Sequence, residues 1–419
     1  MSFTDRLTAI RTGFSSSFWI ANTLELFERV AFYGSKAVLA VYLATKVGLS
    51  DDAGKLAGIF SGVIYSLPIV AGVFVDRYGF RKTLMACFLI FGVGYFLIGL
   101  AGLQFGQSIV QVVGVYPYTL SVLLLTAVGG SLIKPCIVGT VSKTSKPDAR
   151  AFGFSIYYTL VNFGGALGPI IALMVRKDLG IEYVLIMSSI TSALLFAGTF
   201  LFFREPEDVD ETKAEKRTFG KVFSDMLLVF GNFKFIIFLI IFSGFYLIFW
   251  QIFYLVPFYG TEVLKFEDFE LLETVDALCI IFLTIPMTAL VSKWKPINAI
   301  ILGFTISSIS WIAIGALGTI MATVVAIGLF AFGESICIPR FYEYVSKLAP
   351  KEQIGTFMGF AFLPVAIGSF SAGAVADWLR LDYLSTNPSM MWYILAGIGL
   401  LSTVSIFVFN LIAPQKSQD

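Results

Sequence analysis

Long apolar segments separated by short polar loops recur along the whole chain. About 20 apolar residues are enough for a helix to cross the roughly 30 Å hydrocarbon core of a bilayer. The pattern predicts twelve such segments, which we number as spans 1 to 12. They cover residues 16–42, 56–76, 83–103, 117–140, 151–174, 182–203, 235–260, 272–292, 297–317, 320–345, 354–378 and 389–412. We therefore expect an all-α membrane protein with twelve transmembrane helices.

The longest polar segment, REPEDVDETKAEKRTFGKVFSD, lies near the middle of the chain. It predicts a cytoplasmic linker over residues 204–234, between a six-helix bundle of residues 1–203 and a second of residues 235–419. The segments GGSLIKPCIVGTVSK and GESICIPRFYEYVSK align without gaps, Gly129 on Gly333. A repeat separated by six spans keeps its orientation in the bilayer, which is typical of two parallel halves.

Lysine and arginine concentrate in alternate loops, whereas an intervening loop, VLKFEDFELLE, is acidic. The basic positions are Arg6, Arg11, Arg77, Arg81, Lys82, Lys143, Lys146, Arg150, Arg204, Lys213, Lys216, Arg217, Lys221, Lys293, Lys295, Lys347 and Lys351. Cytoplasmic loops of membrane proteins carry an excess of such residues. The pattern thus predicts that both termini are cytoplasmic, and we expect a multi-pass protein of the plasma (inner) membrane.

The composition supports the membrane assignment and narrows the chemistry. The 419 residues are 57% hydrophobic and 14% charged, outside the range of soluble proteins. A net charge of +1 gives no reason to expect nucleic acid. There is no histidine, and the four cysteines are scattered through apolar segments, so we expect neither a metal nor a cofactor. No nucleophile–base set or phosphate-binding loop points to an enzyme.

Span 1 contains the segment TLELFERVAFYG, which places three ionisable side chains inside an apolar run. Glu25, Arg29 and Tyr33 recur every fourth residue and share one helical face, with Glu28 beside them. A charge at the centre of a membrane helix costs about 2.5–3.5 kcal/mol. These groups should therefore face a polar cavity or one another. The alternative is an internal Glu–Arg pair that only locks the helix packing.

The loop between spans 2 and 3 reads GVFVDRYGFRK and fits G-x-x-x-D-R-x-G-x-R-K, the cytoplasmic signature of the major facilitator superfamily. Gly72 would permit close helix approach, Asp76 could pair with basic groups or cap a helix, and Gly79 would allow a tight turn. Arg77, Arg81 and Lys82 complete the motif. The chain resembles that superfamily over its full length, which implies its fold of two six-helix bundles.

TLELFERVAFYG also resembles the E-x-x-E-R-F-x-Y-Y-G motif of the proton-dependent oligopeptide transporters. Further segments resemble that family in order along the chain. They are SGVIYSLP with Tyr65, GGSLIKPC with Lys134, YYTLVNFGG with Tyr158, Asn162 and Gly164, FWQIFYLV with Trp250, and FGESICIP with Glu334. The resemblance implies a symporter that moves small peptides together with protons by alternating access, and we expect it to act as a monomer.

The resemblance also implies roles for these residues. Arg29 and Lys134 would hold the carboxylate of a zwitterionic substrate, and Glu334 its amino group. Tyr33, Tyr65, Tyr158, Asn162, Trp250 and Asp276 would complete the substrate site, while Glu25, Glu28, Lys134 and Glu334 would carry protons. We hypothesise that protonation of the span-1 glutamates frees Arg29 for the substrate. A permanent salt bridge between Lys134 and Glu334 is the alternative role for that pair.

The sequence departs from the family pattern in spans 7 and 8. Tyr254 occupies the position of a family acid, whereas ETVDA in span 8 brings in Glu273 and Asp276. These two either add carboxylates to the site, which would alter its selectivity or move the proton-coupling acid, or lie at the extracellular start of the helix and face water. The cargo could accordingly be another small zwitterion or an organic anion. A membrane receptor that transports nothing, or a lipid-handling facilitator, is a third hypothesis. Arg29, Lys134 and Glu334 argue against lipid as the cargo.

Overall fold

The computed structural model describes residues 13–146, 149–206, 218–350 and 353–412. Both chain ends and the middle of the predicted linker lie outside this part. The predictions for Arg6, Arg11, Lys213, Lys216, Arg217 and Lys351 therefore lie outside the described residues.

The helices follow the predicted spans closely and confirm an all-α membrane protein. Among the described residues, ten helices are long and apolar enough to cross a membrane, and a bent pair forms an eleventh span. The helix of span 1, Ser16–Thr45, contains three ionisable residues and is not among these, and with it the described helices are consistent with the predicted twelve. The spans are Ser16–Thr45, Ala53–Ser66 with Pro68–Tyr78, Phe80–Leu100, Val115–Ser131 with Ile133–Thr144, Arg150–Asp178, Ile181–Phe202, Phe233–Val263, Glu270–Leu290, Pro296–Leu317, Ile320–Leu348, Thr356–Tyr383 and Pro388–Ile412.

Two further helices lie outside the predicted spans. Gln104–Val113 connects spans 3 and 4, and Phe219–Phe230 occupies the end of the predicted linker. The second helix leaves Phe219, Phe223 and Leu227 exposed at four-residue spacing. A short helix with one apolar face is typical of the membrane–water interface.

Span 2 is bent by 49° where Ala53–Ser66 meets Pro68–Tyr78. Pro68 stands at the start of the second helix. Because proline has no N–H group and its ring crowds the preceding turn, a helix breaks at the residue before it.

The chain forms two compact units whose boundaries fall inside spans 1 and 2. The first unit comprises the residues up to Ser35 and Leu67–Val222, and the second comprises Lys36–Ser66 and the residues from Phe223 onward. Each unit thus contains one part of span 1 and one of the two helices of span 2. The second boundary coincides with the bend at Pro68.

In the second unit, span 2 packs against span 11 through small residues at four-residue spacing. Gly54 and Gly58 of span 2 lie against Gly373 and the main chain of Ser369. The Ser369 hydroxyl donates to the Gly58 carbonyl at 3.1 Å. Small residues let the backbones of membrane helices approach closely, which makes van der Waals contact the main attraction.

A carboxylate caps one helix N-terminus in each unit. In the first unit, Glu205 accepts the N–H groups of Phe80 (2.6 Å) and Arg81 (2.9 Å) at the start of span 3. In the second, Asp377 accepts those of Gly54 (2.8 Å) and Lys55 (2.7 Å) at the start of span 2. The first N–H groups of a helix have no partner within it and carry a partial positive charge, so an anion stabilises them.

Replacing Glu205 by alanine should destabilise the first unit by about 1 kcal/mol, the usual effect of losing a helix cap. The expected fall in the thermal unfolding midpoint is roughly 2–4 °C. It can be measured on the detergent-purified protein by differential scanning fluorimetry. The exposed Glu262 offers a control, because its replacement by alanine removes a carboxylate that caps no helix among the described residues. Equal midpoints for the two variants would show that the cap adds no stability.

Candidate functional site

The buried ions of span 1 form an ion pair network in the first unit. The Nε atom of Arg29 lies 3.4 Å from Oε1 of Glu25 and also pairs with the Glu28 carboxylate. Glu25, Glu28 and Arg29 are only 1%, 2% and 4% exposed. The charged groups thus face one another, because a buried charge without a partner is strongly unfavourable.

Lys134 of span 4 and Tyr157 of span 5 complete this network. Lys134 interacts electrostatically with Glu25, Glu28 and Arg29. The Tyr157 side chain lies beside the Glu25 carboxyl. We call Glu25, Glu28, Arg29 and Lys134 the Arg29 cluster. It contains two carboxyl groups and two cations, and the Oε1 atom of Glu28 accepts no hydrogen bond among the described residues.

Glycines of span 5 allow the Arg29 cluster to form. A Cβ atom at Gly164 would lie only 2.5 Å from that of Arg29, and one at Gly168 would lie 2.7 Å from the Val30 carbonyl oxygen. Spans 1 and 5 therefore touch main chain to main chain beside the arginine. The guanidinium of Arg29 lies 4.8 Å from the centre of the Phe32 ring, and Tyr33 packs edge-on against the same ring.

The second unit contains a separate group of ions around Lys36, the residue that begins its part of span 1. Lys36 interacts electrostatically with Glu273 and Asp276 of span 8 and with Glu334 of span 10. We call these four residues the Lys36 cluster. Glu273 and Asp276 are 2% and 8% exposed. Both are thus buried, although Glu273 lies in the first turn of its helix.

Aromatic rings of span 7 hold the Lys36 ammonium group. Its Nζ atom lies 3.4 Å from the centre of the Phe253 ring and 3.9 Å from that of Trp250. The Tyr65 ring packs edge-on against Trp250 at 5.7 Å. A cation over an aromatic face is attracted by the negative potential of that face. Trp250 and Tyr65, both predicted as site residues, thus lie beside this cluster.

Two further predicted site residues, Tyr158 and Asn162, lie on span 5. Tyr158 is half-exposed, and the Asn162 amide donates to the Tyr158 carbonyl at 2.8 Å within the same helix. The neighbouring Tyr157 is the tyrosine that reaches Glu25. The sequence contained signals for two residues that were missed: Lys36 continues the face of Arg29 and Tyr33, and Tyr157 precedes Tyr158 in the same motif.

The glycine-containing motif between spans 2 and 3 forms a tight turn. Gly79 has φ +83°, which favours glycine, and it leaves room for the Glu205 carboxylate. The Arg81 side chain donates to the Phe200 carbonyl at 2.5 Å. Asp76, Arg77 and Lys82 are exposed, and Gly72 is partly buried. The cap at the start of span 3 comes from Glu205.

Neither cluster has the geometry of a metal site. Over the described ranges, no three carboxyl or thiol groups are arranged to bind a metal ion.

The chain is similar to known membrane proteins in sequence and in fold. The family profile described as Major Facilitator Superfamily matches residues 24–374. The chain is 30% identical to dipeptide and tripeptide permease B of Aliivibrio fischeri over 185 residues, 43% of this chain but only 34% of the permease. It is 21% identical to multidrug resistance protein MdtH of Blochmanniella floridana, over 91% of this chain and 92% of that protein.

Solved structures resemble the chain in fold. The crystal structure of a POT family transporter in complex with 5-aminolevulinic acid superposes with a TM-score of 0.77 at 17% identity, over 94% of this chain and 96% of that one. A POT family transporter in complex with a thioalcohol-conjugated peptide superposes with a TM-score of 0.75 at 18% identity, over 94% and 96%. The family profile covers most of the chain, and the chain belongs to the Major Facilitator Superfamily.

Proposed function

We propose that the protein is a secondary active transporter that moves small peptides together with protons by alternating access. The Arg29 cluster carries this proposal, because a lipid-exposed chain gains nothing from burying four ions unless they bind or exchange charged ligands. The similarity to dipeptide and tripeptide permease B of Aliivibrio fischeri supports peptides as the cargo. No enzymatic activity is proposed, and the protein acts as a monomer in the plasma (inner) membrane with both termini cytoplasmic.

The resemblance to peptide transporters supplies the roles that we propose for the site residues. Arg29 and Lys134 bind the substrate carboxylate, and Glu334 binds its amino group. A guanidinium can bind a carboxylate through two parallel N–H groups, which fixes orientation as well as affinity. Tyr33, Tyr65 and Trp250 supply polar and aromatic contacts, and the motif around Gly79 serves the change between conformations.

Proton coupling follows from competition for Arg29. While Glu25 and Glu28 are ionised, they hold the guanidinium. A proton on either of them weakens that pair and frees Arg29 for the substrate carboxylate. Substrate and proton would then bind together, which is the requirement for symport.

A small zwitterion other than a peptide is the second candidate cargo. The superposed POT family transporter is in complex with 5-aminolevulinic acid, a single amino acid derivative. Such a ligand presents the same carboxylate and ammonium groups as a dipeptide, so the same cationic and anionic side chains would bind it.

Uptake into proteoliposomes tests the function. We expect a labelled dipeptide to accumulate above equilibrium when the bath is more acidic than the lumen, and only to equilibrate without the gradient. Competition by unlabelled dipeptides, amino acids and 5-aminolevulinic acid shows which of these compounds the protein binds most tightly. Failure of every such compound to enter or compete would overturn the proposal.

The coupling role is tested by Glu25→Gln and Glu28→Gln. Each substitution removes the site of protonation and keeps the size of the side chain. We expect at least one variant to lose accumulation driven by the gradient, measured as the ratio of internal to external label. If both retained it, the protons must be carried elsewhere.

A further inference from the structure

The Lys36 cluster contains more buried acid than buried base. Glu273, Asp276 and Glu334 all interact with the ammonium group of Lys36. Glu270 is fully buried on the same helix as Glu273 and interacts electrostatically with Glu273. Three ionised carboxylates around one ammonium would leave two buried negative charges without a counter-ion. Burying an unpaired carboxylate is so unfavourable that the group takes up a proton instead.

The hydrogen bonding of these carboxyls is incomplete. Within the described residues, neither oxygen of Glu273 accepts a hydrogen bond, nor does Oδ1 of Asp276 or Oε2 of Glu334. Buried polar atoms are satisfied in more than nine of ten cases, so each exception calls for a ligand or a function. Four such atoms in one cluster point to something that binds there. A metal ion does not fit the arrangement.

The aromatic contacts of Lys36 allow the number of protons to change. Because Phe253 and Trp250 hold the ammonium group through their ring faces, its position does not depend on one particular carboxylate. A carboxyl can therefore gain or lose a proton while the cation stays in place. The other titratable groups that face the cluster are Glu270, Tyr246, Cys279 and Cys337. None of them adds a positive charge.

We propose that Glu273 and Asp276 of span 8, held by Lys36, form a second proton-binding site distinct from Glu25 and Glu28. The step is R–COO⁻ + H⁺ → R–COOH, with no other bond made or broken. Asp276, which the sequence placed in the substrate site, is thereby assigned a proton. The inference rests on the proposed function only for its physiological role, since the proton binding itself needs no substrate.

The first experiment uses no substrate. Tryptophan fluorescence is followed while the detergent-purified protein is titrated from pH 5 to 9. Trp250 is adjacent to Lys36, and the difference from Trp250→Phe gives the part of the signal that comes from this one of the six tryptophans. We expect a transition that is absent from Asp276→Asn combined with Glu273→Gln. Replacing Lys36 by methionine should move the transition to higher pH, because loss of the cation favours the neutral acids. A transition that persists unchanged in the Asp276→Asn, Glu273→Gln double variant would overturn the proposal.

The second experiment separates proton binding from substrate binding. In proteoliposomes, Asp276→Asn should reduce accumulation driven by the proton gradient by about tenfold or more. Exchange of labelled for unlabelled dipeptide without a gradient should fall by clearly less than accumulation does. Asp276→Glu should restore accumulation, because it restores an ionisable group. An exposed carboxylate on the same unit, Asp382, provides the control substitution Asp382→Asn.

The outcomes distinguish this site from the function itself. Equal loss of accumulation and exchange in Asp276→Asn would place the residue in substrate binding and overturn the proton site. Unchanged accumulation would also overturn it. If the wild type neither accumulates nor exchanges any dipeptide, the proposed function fails, while the fluorescence titration still decides whether span 8 binds a proton.

Discussion

Substituting Arg29 by alanine is expected to reduce uptake by about 100-fold or more. The arginine is 4% exposed and pairs with both Glu25 and Glu28, so its removal leaves two buried carboxylates with one fewer cation. Truncating one partner of a buried charge pair costs about 2–5 kcal/mol. Because each 1.4 kcal/mol is a factor of ten in binding, a loss of this size accounts for the expected change. Initial rates of labelled dipeptide uptake measure it.

Two companion variants make this result interpretable. Arg29→Lys keeps the charge but loses the planar pair of N–H donors, and we expect it to fall between alanine and the wild type. Arg204 is exposed, so Arg204→Ala controls for the loss of a positive charge at the surface. A folded Arg29→Ala protein, shown by a monodisperse gel-filtration peak, that transports at the wild-type rate would remove Arg29 from the mechanism.

Substituting Gly58 by leucine is expected to separate span 2 from span 11 and to abolish uptake. A Cβ atom there would lie 2.7 Å from the Ser369 carbonyl oxygen and 3.0 Å from the Cα atom of Gly373. Both are main-chain atoms that cannot move aside alone. Overpacking of this kind costs about 1–3 kcal/mol, and a four-carbon side chain lies at the upper end. We expect the unfolding midpoint to fall by roughly 5 °C or more.

Gly397 of span 12 supplies the matched control, because a Cβ atom at that glycine meets nothing within 4 Å. Gly397→Leu introduces the same side chain into a membrane helix without a clash, and it should leave both the midpoint and uptake close to those of the wild type. Gly58→Ala should give an intermediate effect. Equal behaviour of Gly58→Leu and Gly397→Leu would show that the close contact of spans 2 and 11 contributes nothing.

The sequence was sufficient to predict the positions of the spans. Each span is a long apolar run, and the mean hydropathy of a run depends only on its amino-acid composition. It was also sufficient to single out Glu25, Glu28 and Arg29, since charge inside such a run is conspicuous. Lys134 was found through its motif, and the structure brings it to the same cluster. These successes share a cause: the bilayer makes both apolar length and buried charge readable from one chain segment.

Other features depend on contacts between distant segments, which one segment does not reveal. Lys36 shares a helical face with Arg29, but its grouping with acids of spans 8 and 10 and with rings of span 7 appears only in the folded chain. The boundaries of the two units within spans 1 and 2 follow from packing rather than from hydropathy. The helix Phe219–Phe230 falls within the predicted polar linker, because the charged residues that precede it made the whole stretch polar on average.

The two carboxylates that cap helices, Glu205 and Asp377, bind peptide N–H groups rather than side chains. A peptide N–H group is the same whichever side chain its residue carries. Exchanging an acidic and a basic residue between the two segments therefore cannot restore a lost contact. Residues with quite different side chains at positions 55 and 81 would still present the same donor. A search for co-evolving residue pairs would consequently overlook both contacts, although each joins segments more than a hundred residues apart.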